Sequence, residues 1–229
     1  MICQVYPVKT VSEAFALMDA GVDYLGLLPR NPRPNFNISD ETALEILEAI
    51  GDRAVKVVLP ISNDPKEILD TAQTFHPDIL HVSGKQFFAT AEFAKQLKDL
   101  VPGIRLMHSI EVSGEVCLKE VELLQGVADY LLLDSGSPLS KGASGLTHDW
   151  NISRKIVELS KIPVVLAGGL GADNVADAVR FVKPWGVDSL TKTSHTLPDG
   201  SFVKDIESVR RFCSEARNAE AEYAKAENG

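Results

Sequence analysis

Asp134 closes an apolar run, Ala128, Tyr130, Leu131, Leu132 and Leu133, with the character of a parallel strand buried on both faces. A lone carboxylate at the C-terminal end of such a strand is a candidate general acid. The alternative for the same side chain is an Asx turn onto the backbone that follows it. From Ser135 to Thr147 the chain is a polar loop with three glycines, one proline and four serines, longer than a simple connection needs. Gly136, Gly142 and Gly145 would let that loop close over a ligand and exclude water. Further along stands AGGLGADNV, in which Gly168 and Gly169 permit close backbone approach ahead of a helix expected from Ala172, the arrangement of an anion site. The next loop, TKTSHT, adds Lys192 as a point charge and Thr193 and Ser194 as hydrogen-bond donors. Together these suit a phosphate group; a tight turn with a solvated lysine is the other reading. Arg30 and Arg33, in the loop PRNPRPNFN, either attract a second anion or are solvated loop charges. His108 at a strand end fits a cavity or a structural hydrogen bond, and His148 beside Asp149 is no dyad, because neighbours on a helix diverge. Asp149 instead suits the N-cap of a helix from Trp150.

The elements that must position these groups alternate strictly. Strands are expected at Met1–Val5, Tyr24–Leu28, Ala54–Leu59, Ile79–Val82, Ile104–Met107, Ala128–Leu133, Pro163–Leu166 and Val187–Leu190. Helical spacing follows each, at Val11–Ala20 with Ser12 as cap, Glu41–Ile50 opened by Ser39, Pro65–Phe75, Phe87–Leu100, Gly114–Leu124, Trp150–Leu159, Ala172–Phe181 and Val203–Arg217. Eight βα units without a linker predict a (β/α)8 TIM barrel, one domain over residues 1–217, with a frayed Ala/Glu-rich tail over 218–229. In such a barrel chemistry sits at the C-terminal strand ends, which hold Cys3, Ser83, His108, Asp134, Gly168, Gly169 and Lys192.

At 229 residues the chain is long enough to close this fold, and 45% hydrophobic with 24% charged residues is a globular composition. A net charge of -9 speaks against a nucleic-acid surface. Cys3, Cys117 and Cys213 have neither zinc spacing nor an even count, so no metal is expected and a reducing cytoplasm fits. No apolar run is long enough to span a membrane. On residue grounds alone, Cys3 in a buried strand reads as an inert small hydrophobe.

Four segments, ICQ at the first strand, Asp134 with SGLTHDW, LAGGLGADNV and GVDSLTKTSHTLPDGSFVKD, resemble in collinear order the phosphoribosylanthranilate isomerase family of tryptophan biosynthesis. That resemblance implies a cofactor-free and metal-free Amadori rearrangement of a small phosphosugar, in a cytoplasmic enzyme that is a monomer or homodimer. In the family a cysteine ending strand one is the general base and an aspartate ending strand six the general acid, which places these roles on Cys3 and Asp134. It further implies substrate contacts at Arg33, Asn35 and Ser83 and phosphate contacts at Gly168, Gly169, Lys192 and Thr193. The family pattern Lys-Ile-Cys-Gly is here Met1, Ile2, Cys3, Gln4; its anthranilate-holding arginine falls near Asn35; its Gln-Leu-His-Gly is His81, Val82, Ser83, Gly84; its Ser-Ser-Gly is Leu190, Thr191, Lys192. Two alternatives accompany this reading: a Schiff-base phosphosugar aldolase using Lys192, and a phosphosugar-binding barrel without catalysis.

Overall fold

Short runs that are apolar on both faces become the staves of a closed barrel. The computed structural model describes residues 1–135, 148–198 and 201–227. Strands β1 (Ile2–Val5), β2 (Tyr24–Leu27), β3 (Val55–Val58), β4 (Ile79–Ser83), β5 (Arg105–Val112), β6 (Tyr130–Ser135), β7 (Val164–Leu166) and β8 (Gly186–Ser189) pair in chain order, and β8 closes on β1. The pairs are parallel, with Gln4 opposite Tyr24 on one side and Asp188 on the other. Around them lie α1 (Val11–Asp19), α2 (Asp40–Ile50), α3 (Pro65–Phe75), α4 (Ala91–Leu100), α5 (Leu118–Leu124), α6 (Trp150–Leu159), α7 (Val175–Val182) and α8 (Ile206–Glu227). The expected (β/α)8 barrel is therefore the fold.

Caps set several helix starts. Ser39, Asp64, Thr90 and Asp149 each accept a backbone N–H of the first turn, with Pro65 suited to its position because it has no N–H to lose. For α1 the cap is Thr10, which accepts from Glu13, and not Ser12.

Strand parity divides the core in two. Residues of one parity, such as Leu131 and Leu133 on β6 or Val164 and Leu166 on β7, pack outward against the helices. The other parity, including Tyr24, Val57, Ile79, Met107, Tyr130, Leu132 and Val165, fills the barrel interior. Gly26 belongs to this inner row, and a Cβ there would lie 2.2 Å from the Tyr6 ring, so glycine makes room for that ring.

Helix α4 starts at Ala91 and not at Phe87, α5 at Leu118 and not at Gly114, and β5 runs on to Val112 beyond the expected Met107; three further segments differ from expectation. Phe202–Lys204 forms strand β10, antiparallel to β9 (Ser194–Thr196), so the last helix begins at Ile206 and not at Val203. That helix does not end at Arg217 in a frayed tail: α8 continues through Glu227, with Ala219 buried, Tyr223 packed on the core and Glu220 paired with the amino terminus of Met1. Helix α7 starts at Val175, three residues later than Ala172, because the Asn174 side chain ties the preceding turn, accepting from Gly171 N–H and donating to the Gly169 carbonyl.

Candidate active site

The inward rows of four strands end in polar side chains at the same end of the barrel. On β6, Tyr130 and Leu132 fill the interior and Asp134 continues their row. The equivalent rows bring His81 from β4, Asp188 from β8, and Gln4 from β1 followed by Tyr6 just past the strand. Tyr6, His81, Asp134 and Asp188 line a cavity of about 100 Å³, with Gly168, Gly169 and Thr191 also in its wall. A cleft of about 530 Å³ opens at the opposite, N-terminal end, where Lys56 pairs with Asp78 and Arg217 with Asp23. That end of a barrel serves stability, whereas the C-terminal mouth collects convergent polar groups.

Burial governs the charges of the mouth. Asp188 is pushed up to about 7, first by desolvation, with the Asp134 charge adding to the rise; Gln4 Nε2 donates to its Oδ1 at 3.1 Å and opposes it. Asp134 is also raised by burial, against the Ser135 N–H that donates to its Oδ1 at 2.8 Å and the charge of Lys85. Tyr6 Oη and His81 Nδ1 lie 3.0 Å apart, and His81 Nε2 and Gln4 Oε1 are buried polar atoms without a hydrogen-bond partner among the described residues. His81 is lowered to about 3 and the Tyr6 phenol raised, both mainly by desolvation, so the two form a neutral pair at physiological pH. Lys204, lowered to about 7 by burial, donates to the Leu190 carbonyl at 3.1 Å and the Ser194 hydroxyl at 2.9 Å, clamping the turn that carries Thr191.

The residues marked in the sequence are only partly brought together. Asp134, Gly168 and Gly169 meet at the cavity, and the two glycines have φ of +82° and +66°. Cys3 does not join them. It has the outward parity of Val5, is 0% exposed and packs between β1 and α8, where its thiol is hydrogen-bonded to Cys213; that contact and burial hold its pKa well above the ordinary value. A thiol so placed reaches neither Asp134 nor a ligand in the mouth, so the base role implied for Cys3 has no geometric support. The inward residue at the end of β1 is Tyr6.

Lys192 is exposed and its stem covers Gly171, while Thr193 is buried and donates to the Leu190 carbonyl; Thr191 is the residue of that turn in the cavity wall. Arg33, Asn35 and Ser83 lie outside the wall, and Arg30 is held by Asp40 and Asp70. Asp149 caps α6 as expected. The loop over 136–147, marked as a closing segment, lies outside the described residues. Among the described residues no group of His, Cys, Asp and Glu has the geometry of a metal site, and no helix is long and apolar enough to cross a membrane.

His108 takes the structural reading: its Nε2 accepts from Ala89 N–H at 3.2 Å and its Nδ1 bonds the Ser109 carbonyl at 3.0 Å. Burial lowers His108 and His148 to about 4. The unfolded chain, with imidazoles near about 6.5, binds more protons than the folded one below that value. Stability contributed by the neutral imidazoles is therefore present above about pH 6.5 and is lost as pH falls toward 4. Asp188, raised in the folded state, acts with the opposite sign between its unfolded value and about 7. Urea unfolding across pH 4 to 7 is expected to show a shallower acid decline for His108→Gln than for the unmodified chain.

The family model for N-(5'-phosphoribosyl)anthranilate (PRA) isomerase matches residues 3–213. The chain belongs to the PRA isomerase family. An N-(5'-phosphoribosyl)anthranilate isomerase of Methanocella arvoryzae is 31% identical over 208 residues, covering 91% of this chain and 94% of that protein. That of Rhodopseudomonas palustris is 32% identical over 225 residues, covering 95% and 96%. Among solved structures, phosphoribosyl anthranilate isomerase from Thermotoga maritima superposes with a TM-score of 0.78 at 23% identity, covering 95% of this chain and all of that one, a likeness of fold. This PRA isomerase family chain has an aspartate near the end of β6, a glycine turn after β7 and a tyrosine just past β1.

Proposed function

We propose that this chain is an aldose–ketose isomerase acting on a phosphoribosylamine of the N-(5'-phosphoribosyl)anthranilate type. The observation that carries this reading is the meeting, in one cavity of a PRA isomerase family barrel, of Asp134 with the Gly168–Gly169 turn. The turn supplies backbone N–H groups to the phosphate, and a tie from Asn174 holds it in shape. Asp134, whose pKa burial raises, delivers a proton to the furanose ring oxygen as the C1–O bond breaks and the nitrogen lone pair forms the imine. Loss of the C2 proton then gives the enolamine, and reprotonation at C1 gives the ketose. One proton enters and one leaves in each half, so no cofactor is required. Arg33, Asn35, Ser83, Lys192 and Thr193, outside the cavity wall, are assigned to the rim and its supports and not to the reacting atoms.

The Schiff-base reading gains nothing from Lys192, which is exposed and absent from the wall. Loss of phosphoribosylanthranilate fluorescence, with the substrate generated in situ, tests the proposal. Turnover by the unmodified protein is expected. A folded protein that binds inorganic phosphate without turnover would favour the non-catalytic barrel.

A further inference from the structure

The Amadori reaction needs a group to take the C2 proton, and the outward, buried Cys3 is not placed to be that group. Among the inward residues of the mouth, Tyr6 and His81 are bonded to each other as a neutral pair. Asp188 is different. It lines the same cavity as Asp134, on the strand that closes the barrel against β1, and Gln4 Nε2 fixes one of its oxygens. We propose that Asp188 and Asp134 form the proton-transfer pair of this site, Asp134 serving the ring oxygen and Asp188 serving C2 in place of a cysteine. This rests on the isomerase reading above.

The balance is closed. Asp134 gives its proton to the ring oxygen and the C1–O bond breaks. Asp188 takes the C2 proton, the C2–H electron pair becomes the C1–C2 double bond, and the iminium electrons return to nitrogen. In the second half Asp188 returns a proton to C1, and the C2 hydroxyl loses its proton to Asp134 as the carbonyl forms. Both carboxyls end as they began.

The groups facing Asp188 couple it to Asp134. Gln4 comes from β1 and Tyr6 from just past it, His81 from β4, Asp134 from β6 and Lys204 from β10. Asp134 is a like charge and raises Asp188, whereas Lys204 lowers it. Two carboxyls that sense one another hold a single shared proton over a window of pH, and their titration belongs to the pair. Its upper edge lies at about 7, the value to which burial raises Asp188, and below that edge the reactive form is the tautomer with the shared proton on Asp134. Above that edge no acid remains, so kcat/KM is expected to fall as pH rises through it.

Asp188→Asn preserves an oxygen that accepts from Gln4 and removes the titration. With phosphoribosylanthranilate as substrate, turnover is expected to fall by about 10²–10⁴-fold. Binding of reduced 1-(o-carboxyphenylamino)-1-deoxyribulose 5-phosphate, the compound in a solved PRA isomerase complex, is expected to stay unchanged. Asp188→Glu is expected to restore slow turnover with its alkaline limb displaced, which a purely structural role would not produce. Asp188→Asn turning over at the unmodified rate would overturn the proposal while leaving the isomerase reading intact. Loss of analogue binding together with turnover would overturn it too, by assigning Asp188 to the ligand seat. An unmodified protein that binds the analogue without turnover would overturn the isomerase reading and this proposal with it.

Discussion

Asp134→Asn is expected to lower phosphoribosylanthranilate turnover by about 10²–10⁴-fold, the range for loss of one positioned acid or base. The amide still accepts from Ser135 N–H, as the carboxylate does at 2.8 Å, so the end of β6 keeps its shape. What disappears is the proton that the ring oxygen needs as the C1–O bond breaks. The loss belongs in kcat and kcat/KM together, since the interaction is made chiefly in the transition state. Retained binding of inorganic phosphate would locate the defect in chemistry; a parallel loss of phosphate binding would show that the substitution disturbs the neighbouring turn.

Gly168→Ala is the second large effect, and it acts on binding. Gly168 has φ of +82°, and a Cβ there would lie 2.2 Å from Ser135 Oγ and 2.8 Å from the Ser135 backbone nitrogen. A side chain held in that backbone region costs about 1–3 kcal/mol before any clash. The clash cannot be relieved by rotating Ser135, because one of the two atoms is backbone. The turn after β7 must therefore move away from β6, carrying its N–H groups off the phosphate. Phosphate affinity is expected to fall at least tenfold, equal to about 1.4 kcal/mol, and thermal stability to drop with it. Titration of inorganic phosphate into the folded variant measures this. Unchanged affinity would remove the Gly168 turn from the phosphate site.

Much of this arrangement was legible in the residues, for identifiable reasons. Runs such as Tyr130 to Leu133 are apolar at both parities, which only a strand covered on both faces tolerates. Ser39 and Asp149 announced their helices because a short polar oxygen before a helical pattern satisfies an unpaired N–H. Asp134 stood out because it broke an apolar row. For Cys3, residue type and parity point in opposite directions: Ile2, Gln4 and Tyr6 share the inner face, and a polar Gln4 within a strand is the sign that this face meets a site. Asp188 was hidden in the same way, inside GVDSL, where its parity matches Gly186. Lys204 falls within an expected helix because three residues of β10 are too few to show alternation. The continuation of α8 was present in the spacing of Phe212, Ala216, Ala219 and Tyr223, but their Ala/Glu-rich neighbours gave the segment a solvated character.

The contrast between Cys3 and the mouth carboxylates tests the account most directly. Cys3→Ala removes a buried atom between β1 and α8, at a stability cost of about 1 kcal/mol as for a methyl-sized deletion. Cys3 is not among the residues that line the cavity. The measurement is the rate of phosphoribosylanthranilate fluorescence loss for the unmodified chain, Cys3→Ala and Asp134→Asn at equal folded concentration. Full turnover by Cys3→Ala beside a silent Asp134→Asn is the predicted result. A Cys3→Ala variant that folds, binds phosphate and does not turn over would contradict it, returning the proton transfer to the thiol.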